Sequence, residues 1–266
     1  MEKSGYQAVN IPFEMLSTWE NKAWKQFQMD YAIPLFSVEF SGDPESLYMH
    51  GLRTVSVNDM IVSHVTVREN AVMLSDVFWK RAVILPGYNI SYTSSLLCQL
   101  FYTHAVQRHI IYLHSSLIDH QGRGLMFLGP SGIGKTTQAE LWNQYRDALI
   151  INGDVVFVQE TADSFLGWGT PWHGSSPYCE NASVPVRAMI VLKQSSENSI
   201  RELTGFEKVT AVSTSVFYPR WLENGMELCL ETLDHLLSRV PVYELSCRPD
   251  EDAVKITEEA VFGPRI

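Results

Sequence analysis

The octapeptide at residues 129–136 constrains the fold more than any other feature of this 266-residue chain. It reads Gly-Pro-Ser-Gly-Ile-Gly-Lys-Thr, and it lies between the apolar run Leu125–Leu128 and a segment with helical periodicity, Thr136–Tyr145. A glycine-rich turn between a buried strand and a helix lets successive backbone N–H groups turn towards one anion. The chain is therefore predicted to contain an α/β unit built around this strand, loop and helix.

The octapeptide, called the phosphate loop below, is typical of sites for a nucleoside triphosphate. Its glycines permit backbone conformations with positive φ. Lys135 is predicted to bind the β- and γ-phosphates through its ammonium group, and the Thr136 hydroxyl is predicted to bind Mg²⁺. The predicted nucleotide-binding residues are Gly129, Pro130, Ser131, Gly132, Ile133, Gly134, Lys135, Thr136 and the adjoining Thr137. The predicted cofactors are ATP and Mg²⁺, although the motif does not distinguish adenine from the other nucleobases of a nucleoside triphosphate.

A carboxylate for the metal is predicted at Asp154. This residue follows the apolar run Leu149–Ile151 and lies nineteen residues after Lys135. One helix and one return strand can therefore bring it beside the phosphate loop. Asp154 is predicted to be catalytic together with Lys135, and to bind the metal together with Thr136. The alternative is a plain turn residue, because Asp and Gly also suit hairpins.

The remaining pattern predicts an α/β fold with mixed strand directions. Short β-rich runs at Leu35–Phe40, Thr54–Val57, Ile61–Val67 and Ala82–Leu85 predict an antiparallel N-terminal sheet. A buried helix is predicted at Ser94–His109, followed by a hairpin of strands at Ile110–Ile118 and Leu125–Leu128. Residues 1–93 are therefore predicted to form a β-rich part, and residues 94–266 a nucleotide-binding domain.

Further elements are predicted after the phosphate loop. Strands are expected at Ala148–Ile151, Val155–Val158, Arg187–Leu192 and Val242–Cys247. Helices are expected at Thr136–Tyr145, Lys208–Phe217, Gly225–Ser238 and Glu251–Ala260.

Composition excludes several classes of function. A net charge of -10 argues against a general nucleic-acid binder, which would need clustered Lys and Arg. The N-terminus lacks a signal-peptide pattern and no segment is apolar enough to span a membrane, so a cytoplasmic protein is expected. The four cysteines lack zinc-ligand spacing and are expected to be reduced and mostly buried. The oligomeric state stays open, with a homo-oligomer as one alternative.

The phosphate loop, the preceding strand with His114 and the early aspartate together resemble the catalytic domain of HPr kinase/phosphorylase. That family shares its fold with ATP-dependent phosphoenolpyruvate carboxykinase. The resemblance is closest to the stand-alone HPr-kinase-like proteins found with peptide-modification gene clusters, some of which are similar to lasso-peptide precursor kinases. It covers about Ile110 to Gln194. It implies a mixed-sheet kinase domain of this type.

The resemblance also implies roles for single residues. His114 matches a histidine near the reacting phosphate, and is therefore a third predicted catalytic residue. Two adjacent aspartates serve as base and metal ligand in the family, whereas this chain has Gly153 and Asp154. The base is then Asp154, His114 or no residue at all; Asp154 is favoured, and Gly153→Asp would then increase the rate. HPr itself is not the expected substrate, because the family's downstream basic-glycine signature is not found.

The segment Gly169–Gly174 resembles a Gly-x-Pro-Trp-x-Gly motif of the HPr-kinase-like proteins. It is predicted to form a substrate loop at the mouth of the site, with Trp172, His173 and Gly174 as its contact residues. The alternative is a structural turn with Trp172 packed into the core. His120 and Arg123, in the predicted hairpin turn, are expected to be solvated, and Arg123 could contact the nucleotide.

These features predict a Mg²⁺-ATP-dependent kinase that transfers the γ-phosphoryl group to a hydroxyl. The predicted acceptor is a Ser or Thr of a peptide, or a small hydroxylated metabolite. Two alternatives remain open: a nucleotide-binding regulatory module without phosphotransfer, suggested by Gly153, and a simple hydrolase. The absence of an Asn-Lys-x-Asp motif counts against a GTPase.

Overall fold

The computed structural model of this protein describes residues 2–17, 22–30, 33–41 and 59–263. The chain divides into two compact units, Met1–Ala105 and Val106–Ile266. The functional boundary between residues 93 and 94 stays a prediction, and the predicted strand Thr54–Val57 lies outside the described residues. Among the described helices, none is long and apolar enough to cross a membrane.

The described part of the first unit is a seven-stranded sheet with two helices. Its elements are β1 (Glu2–Ala8), β2 (Ile11–Ser17), α1 (Lys22–Lys25), β3 (Gln28–Met29), β4 (Phe36–Phe40), β5 (His64–Arg68), β6 (Ala71–Ser75), β7 (Arg81–Leu85) and α2 (Ile90–Val106). The strand order is β3-β1-β2-β4-β7-β6-β5. β4 runs parallel to both β2 and β7, so the predicted all-antiparallel sheet is wrong. Parallel neighbours need a crossover connection, and α1 and β3 separate β4 from β2 along the chain, while β5 and β6 separate it from β7.

Aromatic side chains form much of the core of the first unit. Phe13 stacks on Phe36 with ring centroids 5.0 Å apart, and Phe101 of α2 packs edge-on at 5.9 Å. The predicted end of this helix at His109 is wrong, because α2 ends at Val106 and His109 has a φ of 53°. A left-handed residue cannot continue a right-handed helix.

The second unit alternates strands and helices. Its elements are β8 (Ile110–His120), β9 (Arg123–Leu128), α3 (Lys135–Arg146), β10 (Leu149–Asn152), β11 (Val155–Glu160), β12 (Phe165–Trp168), β13 (Ser183–Gln194), β14 (Ser199–Leu203), α4 (Gly205–Ser213), β15 (Val216–Phe217), α5 (Gly225–Arg239), β16 (Val242–Cys247) and α6 (Glu251–Phe262). The pattern did not predict β12, β14 or β15. The predicted helix end at Phe217 is wrong, because α4 stops at Ser213 and the chain then extends into β15.

The strands of the second unit form a mixed sheet of nine strands. β8 and β9 pair antiparallel, which confirms the predicted hairpin. β8 pairs with β11 along its first half and with β9 along its second half. β13 runs parallel to both β9 and β16. The carboxyl ends of these three strands therefore lie at one edge of the sheet, which is where open α/β sheets bind ligands.

One face of β8 packs against α3. The Ser116 hydroxyl donates a hydrogen bond of 3.0 Å to the Lys135 carbonyl. His120 is buried, and its ring centroid lies 5.3 Å from that of Trp142 in α3, so the expectation of a solvated His120 is wrong. Burial lowers the pKa of His120.

Arg123 lies at the start of β9, whereas the phosphate loop follows the end of that strand. Its guanidinium carbon is 4.0 Å from the centroid of the Phe262 ring in α6. The predicted contact between Arg123 and a nucleotide is therefore wrong.

Candidate nucleotide site

The phosphate loop connects the buried strand β9 to α3. Gly129, Gly132 and Gly134 all have positive φ, at 137°, 79° and 113°. A Cβ built on Gly132 or Gly134 would meet no heavy atom within 4 Å, so this side of the loop is open. The loop thus presents its backbone and the N-terminus of α3 to free space, where an anion can bind.

Lys135 is the first residue of α3 and turns back over the loop. Its Nζ donates hydrogen bonds to the carbonyls of Gly129 at 3.1 Å and Pro130 at 3.2 Å. The residue is only 6% exposed. Burial lowers the pKa of Lys135, and the negative charge of Asp154 opposes that shift. Its partners within the loop are thus neutral carbonyls, which anionic phosphate oxygens can replace with stronger hydrogen bonds.

Thr136 connects the loop to the turn that carries Asp154. Its hydroxyl donates a hydrogen bond of 3.3 Å to the carbonyl of Gly153. The hydroxyl predicted to bind the metal and the residue before the predicted carboxylate ligand are therefore in direct contact.

Asn152 holds this turn in position, and the sequence analysis missed it. Its Oδ1 accepts the backbone N–H groups of Asp154 and Val155, each at 2.9 Å. Its Nδ2 donates to the carbonyls of Thr170 at 3.0 Å and Trp172 at 3.1 Å. One fully buried side chain thus joins the Asp154 turn to the predicted substrate loop. The available signal was an Asn two residues before the Asp, since Asn often bonds to backbone two residues ahead.

His114 lies on β8 opposite Val155 of β11, and its side chain reaches Asp154. The distance from His114 Nε2 to Asp154 Oδ1 is 2.9 Å, and both side chains are about one-third exposed. An imidazole N–H at this distance donates to the carboxylate, whose negative charge strengthens the hydrogen bond. Asp154 thus interacts with both of the other predicted catalytic residues. It contacts His114 directly, and its negative charge acts on the Lys135 ammonium.

The predicted substrate loop comes close to Asp154 at Gly174. Gly174 has a φ of 57°, and a Cβ at this position would lie 2.3 Å from Asp154 Oδ2. His173 is half-buried, and its Nδ1 is hydrogen-bonded to the Ser176 carbonyl. Trp172 is 6% exposed, with its ring centroid 6.3 Å from that of Phe157. Its indole therefore packs in the core, as in the alternative interpretation, and is not an exposed stacking surface.

Gly153 has no room for a side chain. A Cβ at this position would lie 1.9 Å from Ser176 Oγ and 2.5 Å from Ser176 Cβ. The second distance cannot be relieved by rotating the Ser176 side chain, because Cβ is fixed by the backbone. Gly153→Asp alone therefore collides with residue 176, which argues against the increase in rate predicted for this substitution.

A pocket of about 330 Å³ opens beside the phosphate loop, at the carboxyl ends of β13 and β16. It is lined by Gly132, Ile133, Gly134, Thr137, Gln138, Leu192, Lys193, Gln194, Ser195, Cys247, Arg248 and Pro249. Gln138 is 3% exposed and donates through Nε2 to Cys247 Sγ at 3.3 Å. Its Oε1 finds no hydrogen-bond partner within the described part of the chain. A buried, unpaired acceptor in a pocket favours a ligand with an N–H or O–H donor.

The cysteines agree with the prediction. All four are free, with Cys98, Cys179 and Cys229 buried and Cys247 partly exposed in the pocket. Burial raises the pKa of Cys247, which keeps it in the thiol form.

The residues present fit a metal–nucleotide complex better than a metal held by protein alone. Among residues 2–17, 22–30, 33–41 and 59–263, no group of three or more His, Cys, Asp or Glu side chains could hold an ion. Mg²⁺ usually takes only one or two protein ligands and completes its shell with water and phosphate oxygens. Thr136 and Asp154, beside an open anion loop, suit that arrangement.

Comparisons with known proteins place the chain in a family. The model of the family described as "SynChlorMet cassette protein ScmC" matches residues 90–249, more than half of the chain. An HPr kinase/phosphorylase of Brevibacillus brevis is 24% identical over 157 residues, an alignment that covers 58% of this chain and 48% of that protein. The chain therefore matches about half the length of this relative.

A solved structure, the Hpr(Ser) kinase/phosphatase from Coxiella burnetii, aligns over 56% of this chain and 95% of its own. The sequence identity is 10% and the TM-score is 0.35. The similarity to HPr kinase/phosphorylase is distant, whereas the family match covers α2, the phosphate loop and the Asp154 turn. By that match, the chain belongs to the family of SynChlorMet cassette protein ScmC.

Proposed function

We propose that this protein is a Mg²⁺-ATP-dependent kinase that transfers the γ-phosphoryl group to a hydroxyl. The acceptor is a Ser or Thr of a peptide, or a small hydroxylated metabolite. The observation that supports this most is the contact of Thr136 with Gly153 at 3.3 Å together with that of His114 with Asp154 at 2.9 Å. These contacts put an anion loop, a carboxylate and an imidazole around one space.

Each group has a chemical task in this proposal. The loop N–H groups and Lys135 bind the β- and γ-phosphates and neutralise the charge that develops in the transition state. Thr136 and Asp154 hold Mg²⁺, which, when bound, neutralises the phosphate oxygens. Asp154 also accepts the proton of the attacking hydroxyl, and His114 orients its carboxylate. The turn at His173 and Gly174 forms the acceptor side of the site.

The pocket beside the loop is the proposed position of the nucleoside. It adjoins the loop at Gly132 and Gly134, and Gln138 supplies an unpaired acceptor to it. A cavity of about 330 Å³ falls at the lower end of the usual range for small-molecule sites.

A nucleotide-binding regulatory role is the second candidate. It is favoured by one observation: Ser176 fills the side of Gly153 on which an additional carboxylate would lie. A site with one carboxylate can bind Mg²⁺-ATP without having a separate base for transfer.

Mass spectrometry of candidate acceptors incubated with the protein and Mg²⁺-ATP distinguishes these functions. We expect a phosphorylated peptide or metabolite together with ADP, and no product with a Lys135→Ala variant. ADP without a phosphorylated acceptor would indicate a simple ATPase. Bound ATP without any turnover would support the regulatory role and contradict the kinase.

The role of His114 can be tested with two substitutions. We expect His114→Gln to keep kcat within about tenfold of the parent, because its amide N–H can still reach Asp154. His114→Asn is shorter and should lose more of the rate. Both should leave ATP affinity nearly unchanged.

A general base at His114 would give a different pattern. Both variants would then lose kcat by about 10²–10⁴, and the acid limb of the pH–rate profile would disappear. Measuring kcat against pH for the two variants separates these cases, since the glutamine cannot replace a base but can replace a hydrogen-bond donor.

A further inference from the structure

Ser176 faces the Asp154 turn from a segment that the catalytic proposal does not use. The segment 176–180 runs beside 151–153: the Gly153 N–H bonds to the Tyr178 carbonyl at 3.3 Å, and the Glu180 N–H to the Ile151 carbonyl at 2.7 Å. This pairing brings the Ser176 side chain against the Cα of Gly153. The residue is buried, although its neighbour Ser175 is exposed.

The space that Ser176 occupies lies on the Thr136 side of Gly153. The point where a Gly153 Cβ would lie is 1.9 Å from Ser176 Oγ and 3.8 Å from Thr136 Oγ1. Two residues before Ser176, a Cβ at Gly174 would lie 2.3 Å from Asp154 Oδ2, so the backbone there runs close to that carboxylate. Ser176 thus brings a hydroxyl to the Cα of Gly153, on the side where the Thr136 hydroxyl also lies.

The Ser176 hydroxyl has a free donor. Its oxygen accepts the Tyr178 N–H at 3.3 Å, and no hydrogen bond donated by this hydroxyl occurs within the described residues. A hydroxyl can accept and donate at the same time, so its proton can still be donated to an acceptor oxygen of a ligand bound at the neighbouring phosphate loop.

We propose that Ser176 is a positioning residue whose hydroxyl donates a hydrogen bond to an oxygen of the metal–nucleotide complex, either phosphate or metal-bound water. Its side chain fills the space at the Cα of residue 153 and so requires that residue to be glycine. This inference rests on the proposed nucleotide function and extends it to the 176–180 segment.

The geometry predicts that residue 153 can carry a side chain if residue 176 carries none. Removing the Ser176 side chain deletes both close contacts, and the nearest remaining contact of a Cβ at 153 is the ordinary one of 3.8 Å to Thr136 Oγ1. Gly153→Asp alone should therefore destabilise the protein, whereas Gly153→Asp combined with Ser176→Gly should recover most of the lost thermal stability. Ser176→Gly alone completes the double-mutant cycle.

The melting temperatures of these variants, measured without nucleotide, test the spatial part of the proposal. We expect the two substitutions to couple strongly, with the double variant melting above Gly153→Asp. A Gly153→Asp variant as stable as the double variant would show that Ser176 does not fill this space, and would overturn the inference.

Ser176→Ala tests the hydroxyl, because alanine keeps the Cβ that packs on Gly153. We expect a melting temperature without nucleotide close to that of the parent, and ATP binding weakened about three- to tenfold when measured by calorimetry across a Mg²⁺ titration. Ser175→Ala removes the neighbouring exposed hydroxyl and should leave the titration unchanged.

The outcomes separate this inference from the proposed function. Parental ATP binding by Ser176→Ala, in a protein that does bind Mg²⁺-ATP, overturns only the role of Ser176. Failure of the parent protein to bind Mg²⁺-ATP overturns both. Weakened binding by Ser176→Ala together with the coupled melting temperatures supports the inference even if no acceptor is phosphorylated.

Discussion

Replacing Lys135 by alanine is expected to weaken ATP binding about 10- to 100-fold and to reduce turnover by a further 10²- to 10³-fold. A charge-assisted hydrogen bond to phosphate contributes about 1.5–3 kcal/mol to binding, and its contribution grows as charge develops in the transition state. The Lys135 side chain is buried at the loop, so in the alanine variant bulk water would make only weak replacement hydrogen bonds to the phosphates. Calorimetry for binding and coupled detection of ADP for turnover measure the two effects separately.

The same variant should fold normally. In the free protein, Lys135 donates hydrogen bonds within the loop only to neutral carbonyls. Burial lowers its pKa, which means that the folded state disfavours the charged ammonium. Removing this side chain is therefore not expected to destabilise the fold. Lys208→Ala is the matched control, because burial also lowers the pKa of this lysine, which lies on α4 outside the loop. Parental affinity and turnover in Lys135→Ala would contradict the interpretation of residues 129–136 as a phosphate loop.

Asp154→Asn is expected to shift the Mg²⁺ dependence of ATP binding to concentrations about 10-fold or more higher, and to reduce kcat by 10²-fold or more. The substitution keeps the size and the turn preference, but it removes the anionic oxygen that a hard cation prefers. It also removes the carboxylate that would accept the proton of the attacking hydroxyl. ATP binding measured across a series of Mg²⁺ concentrations gives the first effect, and single-turnover kinetics at saturating Mg²⁺ gives the second.

Asp163→Asn serves as the control for loss of one negative charge. Asp163 is exposed beyond the end of β11, whereas Asp154 precedes the start of that strand. Glu160, also at the far end of β11 from Asp154, is hydrogen-bonded to His235 at 3.0 Å. A Mg²⁺ titration that is unchanged in Asp154→Asn but shifted in Asp163→Asn would contradict the proposed metal site.

Local patterns predicted much of the second unit. The strand at Val242–Cys247 has the predicted bounds, and α3 begins within one residue of the predicted start. These elements have strong apolar periodicity or a clear loop signal, so local sequence is sufficient. The contact between the Asp154 turn and the phosphate loop also followed from the spacing of one helix and one strand.

Features that depend on distant residues could not be predicted from local patterns. β4 runs parallel to its neighbours because of crossover connections, which the β-rich runs do not reveal. The closed space at Gly153 depends on Ser176, which comes from a later segment. The burial of Trp172 depends on its packing against Phe157. In each case the missing information was which segments meet, and single-sequence periodicity does not contain it.

The alternation of side chains along β8 links formation of the candidate site to folding. His114 and Ser116 point to the face that meets Asp154 and α3, while Leu113 and Leu117 are fully buried at the alternate positions. A slip of β8 by one residue against β9 and β11 would exchange these two faces. The imidazole would leave the Asp154 carboxylate, and Leu113 and Leu117 would leave the packing in which they are fully buried. A misregistered sheet would therefore lose buried apolar contacts together with the candidate site, so the hydrophobic core selects the register in which that site can form.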